Sequence, residues 1–299
     1  MEFLWFLSSY RSDFLDTLFY GITFLGDELI IAGLICGIFW CYNKAFAYKL
    51  CFAYFASGIF VQGLKITFRV ERPWIKDPSF NPVNQAISGA TGYSFPSGHT
   101  QSCSSILSAV AFNIKKRWVT VLSFALIAAV GFSRMYLGVH TPADVFVSMA
   151  VSIIISFIAC YICDNFNTLN GTRLGVAIFI VALSAGLGFY TYYLYILNLA
   201  PLDKLMDCFK LTGSGIGLGI AWYIENTYIR FSTRCVTLHG QLLKFICGIS
   251  GTILIKVGLK FIIGDSIPAN IFRYMLIMLW IICIYPIIIK KFQPHTFKR

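Results

Sequence analysis

A chain of 299 residues that is 58% hydrophobic and only 12% charged has about half the charged fraction of an average soluble domain, which excludes an ordinary soluble fold. Its net charge of +11 falls in short loops between apolar runs, so anionic lipid and phosphate are the expected partners and nucleic acid is not. Cys36, Cys51, Cys103, Cys160, Cys247 and Cys283 sit inside those runs, where a thiol acts as a small hydrophobe, and a disulfide framework is not expected.

Residues 1–25 lack the basic lead and small-residue cleavage site of a signal peptide, and Arg11 and Asp13 interrupt their apolar character. They are expected to lie along the membrane interface. Beyond them come apolar runs of the length that crosses a bilayer core, about 17–25 residues. Spans are predicted over 27–43, 46–64, 99–114, 118–134, 142–163, 174–197, 211–229, 245–263 and 270–289, nine in all. The fold class is therefore an all-α polytopic membrane helix bundle forming one membrane domain over 1–299. Its catalytic core is expected at 46–163, with additional transmembrane helices at 174–290. The span at 99–114 is short and the one at 211–229 is glycine-rich, so tilting or enclosure by protein is expected for both. The run Gly213–Gly219 has no preceding strand and no dinucleotide spacing, and its small-xxx-small pattern predicts close helix packing.

If the nine spans alternate, Lys44, Lys49, Lys115, Lys116, Arg117, Arg173, Arg230, Arg234 and the basic tail 290–299 share one side. The preference of Lys and Arg for cytoplasmic loops assigns that side to the cytosol. The acceptor-like Asn170-Gly171-Thr172 falls on the same side, where glycosylation does not occur. The opposite side nevertheless collects Lys65, Arg69, Arg72, Lys76 and Arg134, and a phosphate site supplies the reason for such a cluster. Lys256, Lys260 and Arg273 read as snorkelling side chains, with contact to a lipid headgroup as the alternative. The connection 65–98 is much longer than two helices need, which marks it as functional.

Three stretches on that opposite side carry the polar groups of a phosphate reaction: Lys65-Ile66-Thr67-Phe68-Arg69-Val70-Glu71-Arg72-Pro73, Pro96-Ser97-Gly98-His99, and Ser133 to Asp144. Ser97 and Gly98 begin a helix, so their backbone N–H groups are expected to point outward unpaired, where the helix dipole favours an anion. His99 then stands beside that anion, placed to give a proton to a departing oxygen. Thr141 is a natural N-cap, Pro142 suits the first helical position, and Asp144 occupies the third. Reaching back over the turn, Asp144 accepts from one imidazole nitrogen of His140 and leaves the other free to attack phosphorus. Lys65, Arg72 and Arg134 supply positive charge for the equatorial oxygens, a role that fixed cations and N–H dipoles can perform in place of a metal. No Cys or His spacing fits zinc.

Position for position, the three stretches resemble the signature of the type 2 phosphatidic acid phosphatase (PAP2) superfamily, which includes glucose-6-phosphatases, sphingosine-phosphate phosphatases and vanadium haloperoxidases. The resemblance covers roughly residues 65–144. It implies His140 as nucleophile, Asp144 as its partner and His99 as acid and later base. Lys65, Arg72, Ser97, Gly98 and Arg134 bind phosphate, with no metal or other cofactor. The span count exceeds the six common in bacterial lipid phosphatases and is similar to the glucose-6-phosphatase and sphingosine-phosphate phosphatase branches. The expected activity is hydrolysis of a lipid phosphate or diphosphate, of the phosphatidate, phosphatidylglycerol phosphate or polyprenyl diphosphate type, through a phosphohistidine. A soluble sugar phosphate, or transfer to another acceptor, is the alternative with the same site. A non-catalytic transporter or membrane scaffold is the alternative of another class. The expected location is a bacterial plasma membrane or an endoplasmic reticulum, with the site opposite the cytosol.

Overall fold

The computed structural model describes residues 1–165, 172–234 and 237–292, and every regular element among them is helical. The tail beyond 292 and the Asn170-Gly171 pair lie outside the described residues. The helices are α1 (Glu2–Ser8), α2 (Asp13–Thr23), α3 (Glu28–Gly37), α4 (Lys44–Phe68), α5 (Pro73–Lys76), α6 (Asn84–Ile87), α7 (Gly98–Ile114), α8 (Arg117–Tyr136) and α9 (Pro142–Asp164). They are followed by α10 (Arg173–Ile196), α11 (Leu202–Ile224), α12 (Leu238–Ile263), α13 (Ile267–Leu279) and α14 (Tyr285–Phe292). The chain divides into two compact units. The first gathers Met1–Ala32, Lys49–Asp164 and Asn198–Leu205, and the second holds Gly33–Tyr48 with the described parts of 165–197 and 206–299.

Each of the nine apolar runs is helical, and among the described residues six helical stretches are long and apolar enough to cross a bilayer: Lys44–Lys76, Arg117–Tyr136, Pro142–Asp164, Arg173–Ile196, Leu238–Ile263 and Ile267–Lys291. The pair Asp13–Gly26 and Glu28–Tyr42, bent by 46°, adds a seventh if it is taken as one broken span. The chain is an integral membrane protein. Two runs expected to cross fall short of that measure for physical reasons. Helix α7 is 17 residues long and carries Gln101, Ser102, Ser104, Ser105 and Ser108, and the run 211–229 is diluted by Gly213, Gly215, Gly217 and Gly219 and holds Glu225 and Asn226 near its end.

Helix α7 is the axis of the first unit, packed chiefly between α8 and α9 and buried around most of its circumference. Its polar groups are held partly by neighbouring helices and partly by its own backbone, with Ser105 Oγ donating to the Ser102 carbonyl and Ser108 Oγ to the Ser104 carbonyl, while Ser104 Oγ is buried without a partner. Gln101 donates through Nε2 to Ser57 Oγ of α4 at 2.8 Å. From α9, Ser148 Oγ donates to the Ser97 carbonyl at 2.7 Å and Ser156 Oγ to the Ser105 carbonyl at 3.1 Å. At the far end, Lys49 of α4 bonds Asn113 of α7 at 2.8 Å and pairs with Asp164 of α9. The enclosure expected for the run 99–114 is thus present, and it holds the first turn of α7 in place.

The N-terminal helices pack onto the same unit. Ser12 caps α2 by accepting from the Leu15 N–H, and the Phe19 ring packs at a tilt against Tyr136 of α8 with ring centroids 4.3 Å apart. Tyr136 donates to Asp16 at 2.9 Å, while Arg11 donates to the carbonyls of Asn81 at 2.5 Å and Tyr136 at 3.2 Å. Val83, Ala86, Tyr136, Leu137 and Val139 form the apolar cluster beneath this segment, with Leu15, Phe19 and Trp74 against it.

In the second unit the glycines of α11 work on two faces. Gly213 and Gly217 lie against the Ile271 and Met275 carbonyls of α13, whereas Gly215 and Gly219 lie against Ser184 and Val181 of α10. No side chain fits at these contacts, which is the close packing the glycine run predicts. Glu225, fully buried, is held by Lys44 at 2.8 Å, by Tyr48 at 2.8 Å and by the Phe231 N–H at 3.3 Å. The described cysteines of both units are free thiols.

Candidate active site

Lys65 is buried one turn before the end of α4. Past Phe68 the helix closes with Arg69 in the left-handed region (φ 49), its N–H donating to the Lys65 carbonyl at 3.0 Å, a common helix stop. The chain then turns inward, Pro73 opens α5, and Arg72 becomes its buried N-cap residue.

The Arg72 guanidinium ties two loops together. Nη2 donates to the Thr91 carbonyl at 2.5 Å and Nε to the Gly92 carbonyl at 3.3 Å. Nη1 donates to the Val139 carbonyl at 3.1 Å and lies 2.9 Å from Nε2 of His140. A guanidinium has donors only, so Nε2 is the acceptor, and the neutral ring carries its proton on Nδ1. That nitrogen faces Oδ2 of Asp144 at 3.4 Å, an ion-pair distance without hydrogen-bond alignment. Burial first, and then the Arg72 and Arg134 charges, hold the imidazole of His140 well below its ordinary range against the opposing pull of Asp144. The ring is therefore neutral at neutral pH.

Asp144 is fixed from three sides. Its Oδ2 accepts from Ser94 Oγ at 2.5 Å and from the Thr141 N–H at 2.8 Å, and its own N–H points to Thr141 Oγ1 at 3.4 Å. This is the reciprocal cap predicted for Thr141 and the third helical position. The Asp144 carbonyl in turn accepts the Ser97 N–H at 3.0 Å. The expectation that the Ser97 amide faces an anion is thereby corrected, because the first turn of α9 occupies it. The first-turn amides of α7 from Gly98 onward, which have no partner within their helix, are the ones at the site. A Cβ added to Gly98 would stand 3.8 Å from Lys65 Nζ, so the lysine lies against that helix start. Lys65, Arg72 and Arg134 are all close enough to act electrostatically on the His99 ring.

Arg134, on α8 and 2% exposed, donates through Nη1 to Thr23 Oγ1 at 2.9 Å. Its Nε and Nη2 are buried with no protein partner. Leaving such donors unmatched is costly, and an anion supplies what they need. Gly98 and His99 are partly exposed while Lys65, Arg72, Arg134, His140 and Asp144 are buried, so access runs past the start of α7.

All the side chains singled out for a phosphate reaction thus fall in one unit and point to one place: two histidines, a carboxylate, three cations and a helix N-terminus. The order and spacing of the motifs did not disclose Ser94, Thr23 or Gly26. Ser94 stands three residues ahead of Ser97, and its burial is the signal that singles it out. Thr23 lies 111 residues from the arginine it holds, and nothing in its local sequence marks it.

The chain is similar in sequence to known proteins. Residues 46–168 match the family described as PAP2 superfamily, and residues 209–296 match the one described as PAP2 superfamily phosphatase, transmembrane extension. Among curated proteins, Undecaprenyl-diphosphatase BcrC of Bacillus subtilis is 30% identical over 153 residues, covering 50% of this chain and 76% of the relative. Phosphatidylglycerophosphatase B of the same organism is 26% identical over 163 residues, covering 50% and 75%. Solved structures similar to this one include a transmembrane PAP2 type phosphatidylglycerolphosphate phosphatase from Bacillus subtilis, at TM-score 0.47 and 20% identity over 55% of this chain and 84% of that one. Another is Aquifex aeolicus LpxE, at TM-score 0.46 and 26% identity over 54% and 93%. The stretch 46–168 contains all three motifs of the site, and by it this integral membrane chain belongs to the PAP2 superfamily of phosphatases, a group of phosphoric ester hydrolases.

Proposed function

We propose that the chain hydrolyses a lipid phosphate or diphosphate without a metal ion, through a phosphohistidine formed on His140, on the extracytoplasmic face of its membrane. The observation that carries the mechanism is the bond from Arg72 Nη1 to His140 Nε2 at 2.9 Å, because it puts the lone pair on the nitrogen away from Asp144. A phosphoryl oxygen draws the guanidinium off that nitrogen, and Nε2 attacks phosphorus as the P–O bond to the leaving group breaks. Burial first, and then the Arg134, Lys65 and Arg72 charges, hold the His99 imidazole well below its ordinary range. The bound phosphate offsets those charges, and His99 takes up a proton and gives it to the departing oxygen. The ring becomes cationic as the N–P bond forms, and Asp144 balances that charge. Water then attacks phosphorus, His99 takes its proton, the P–N bond breaks, and inorganic phosphate leaves. Lys65, Arg72, Arg134 and the first amides of α7 hold the equatorial oxygens throughout, each such donor contributing about 10²–10³ in rate.

The lipid substrate is supported by the names of both curated relatives, which specify phosphates on lipid anchors, and by the embedding of the site among spanning helices. The face is supported by charge. Lys49 and the run Lys115, Lys116, Arg117 lie at the ends of α4, α7 and α8 remote from Lys65, His99 and Arg134, and such basic turns face the cytosol. Purified protein assayed with EDTA on lipid phosphates in micelles and on soluble sugar phosphates tests the reading. Phosphate release from lipids, inhibition by orthovanadate and loss of activity in His140→Ala are expected. Full activity in His140→Ala removes the nucleophile, and release from soluble esters alone removes the lipid.

A further inference from the structure

We infer that the segment ahead of the matched family region completes the phosphate site, with Thr23 positioning the Arg134 guanidinium and Gly26 seating the backbone of His99. The inference rests on the phosphate reading of the site and extends it to residues outside the three motifs.

An arginine side chain has two working edges. Nη1 lies on the side of the aliphatic stem, and Nε with Nη2 forms the outward fork that meets two oxygens of a phosphate at once. Here Thr23 Oγ1 accepts from Nη1 at 2.9 Å, and the nitrogens left buried without a partner are Nε and Nη2. The threonine thus grips the edge not needed for bidentate recognition and turns the other edge to the ligand. Without that grip the guanidinium rotates about its last bonds, and the fork loses its direction.

Thr23 is itself well placed to do this. It is the last residue of α2, 3% exposed, and α2 is tied to α8 by the Phe19–Tyr136 ring contact and the Tyr136–Asp16 bond. Donor and acceptor therefore stand on two helices held in register by separate contacts. Three residues later, in the turn Phe24–Gly26, the chain touches the first turn of α7 so closely that a Cβ on Gly26 would overlap the His99 carbonyl. Glycine permits that approach. Any side chain there pushes away the residue that hands over the proton.

The test compares Thr23→Val, Thr23→Ser, Gly26→Ala, Arg134→Ala and the Thr23→Val/Arg134→Ala double variant, all as full-length protein in detergent. Turnover, KM, the inhibition constant of orthovanadate and the thermal unfolding midpoint are measured for each. Thr23→Val is expected to raise the vanadate constant about ten- to a hundred-fold, the effect of one hydrogen bond to a charged group. Thr23→Ser restores it, and the double variant is no worse than Arg134→Ala alone, because both act through one guanidinium. Gly26→Ala is expected to lower kcat at least tenfold with a smaller change in the vanadate constant. A wild-type vanadate constant in Thr23→Val, beside a weakened Arg134→Ala, overturns the role of Thr23 and leaves the phosphate reading intact. Wild-type behaviour of Arg134→Ala overturns the phosphate reading itself. If Thr23→Val does not fold, Thr23→Ala takes its place with the same two outcomes, and wild-type kcat in Gly26→Ala removes the second contact.

Discussion

Asp144→Asn preserves the size of the side chain and removes its charge, which separates two jobs that Asp144 performs at once. In the structure Oδ2 receives the Ser94 hydroxyl and the Thr141 N–H and faces Nδ1 of His140 at 3.4 Å. An asparagine meets all three donors by placing its carbonyl oxygen there, so the cap of α9 and the fold survive. What disappears is the negative charge opposite a ring that, in the proposed mechanism, turns cationic as the N–P bond forms. At 3.4 Å and an effective dielectric of about 20, a full pair of charges is worth about 5 kcal/mol. With half to all of the charge developed in the transition state, kcat falls by about 60- to 4,000-fold. The variant is assayed by phosphate release at saturating substrate, with the unfolding midpoint measured alongside. Activity within fivefold of wild type, or a change confined to KM, refutes a charge-balancing role and reduces Asp144 to a helix cap.

Three further outcomes follow from neighbouring contacts. Arg72→Gln removes a cation that, after burial, holds His140 below its ordinary range. In the proposed mechanism the neutral ring is the active form, so the acid limb of kcat/KM moves to higher pH in the variant. A short-chain lipid phosphate measured on both proteins cancels substrate ionisation, and a limb that stays or moves down contradicts the assignment. Ser94→Ala deletes one charge-assisted bond to Asp144, worth about 1.5–3 kcal/mol. A drop in kcat of about tenfold or more is expected, with Ser94→Thr tested for partial recovery and unchanged kcat counting against the contact. Gly138→Ala places a Cβ at φ 76, 2.6 Å from Arg11 Nη2 and 2.8 Å from the Phe80 ring. The left-handed backbone alone costs about 1–2 kcal/mol, so the unfolding midpoint and the activity fall together, and a wild-type midpoint is the contrary result.

Helix positions were legible because each apolar run is long enough to be helical in lipid, whatever its neighbours. Whether a helix crosses is a different question. Helix α7 is apolar enough at Ile106, Ala109 and Ala111 to read as a span, yet Gln101 bonds Ser57 of α4, and Ser148 and Ser156 of α9 bond the Ser97 and Ser105 carbonyls, so its environment is protein. The polar positions of α2, Asp13 and Asp16, hid the fact that this helix joins the bent pair running to Tyr42. At the start of α7 the sequence locates the free amides, but it carries no sign that the Asp144 carbonyl docks on the first of them.

The same division separates the site residues that were legible from those that were not. His99, His140, Asp144 and the cations Lys65, Arg72 and Arg134 are recognisable because the chemistry demands their functional groups at motif spacing, and few other side chains can substitute. Ser94 and Thr23 contribute one hydroxyl each, from 50 and 111 residues away in sequence, and a hydroxyl is common enough to carry no signal. Their proposed importance comes from where packing puts them: one beside the carboxylate behind the proposed nucleophile, the other beside the guanidinium proposed to meet the phosphate. A positioning residue is thus specified by the fold and a reacting residue by the reaction. For that reason conservative substitutions are expected to be tolerated at Thr23 and Ser94 wherever the hydroxyl survives, and at His140 and Asp144 not at all.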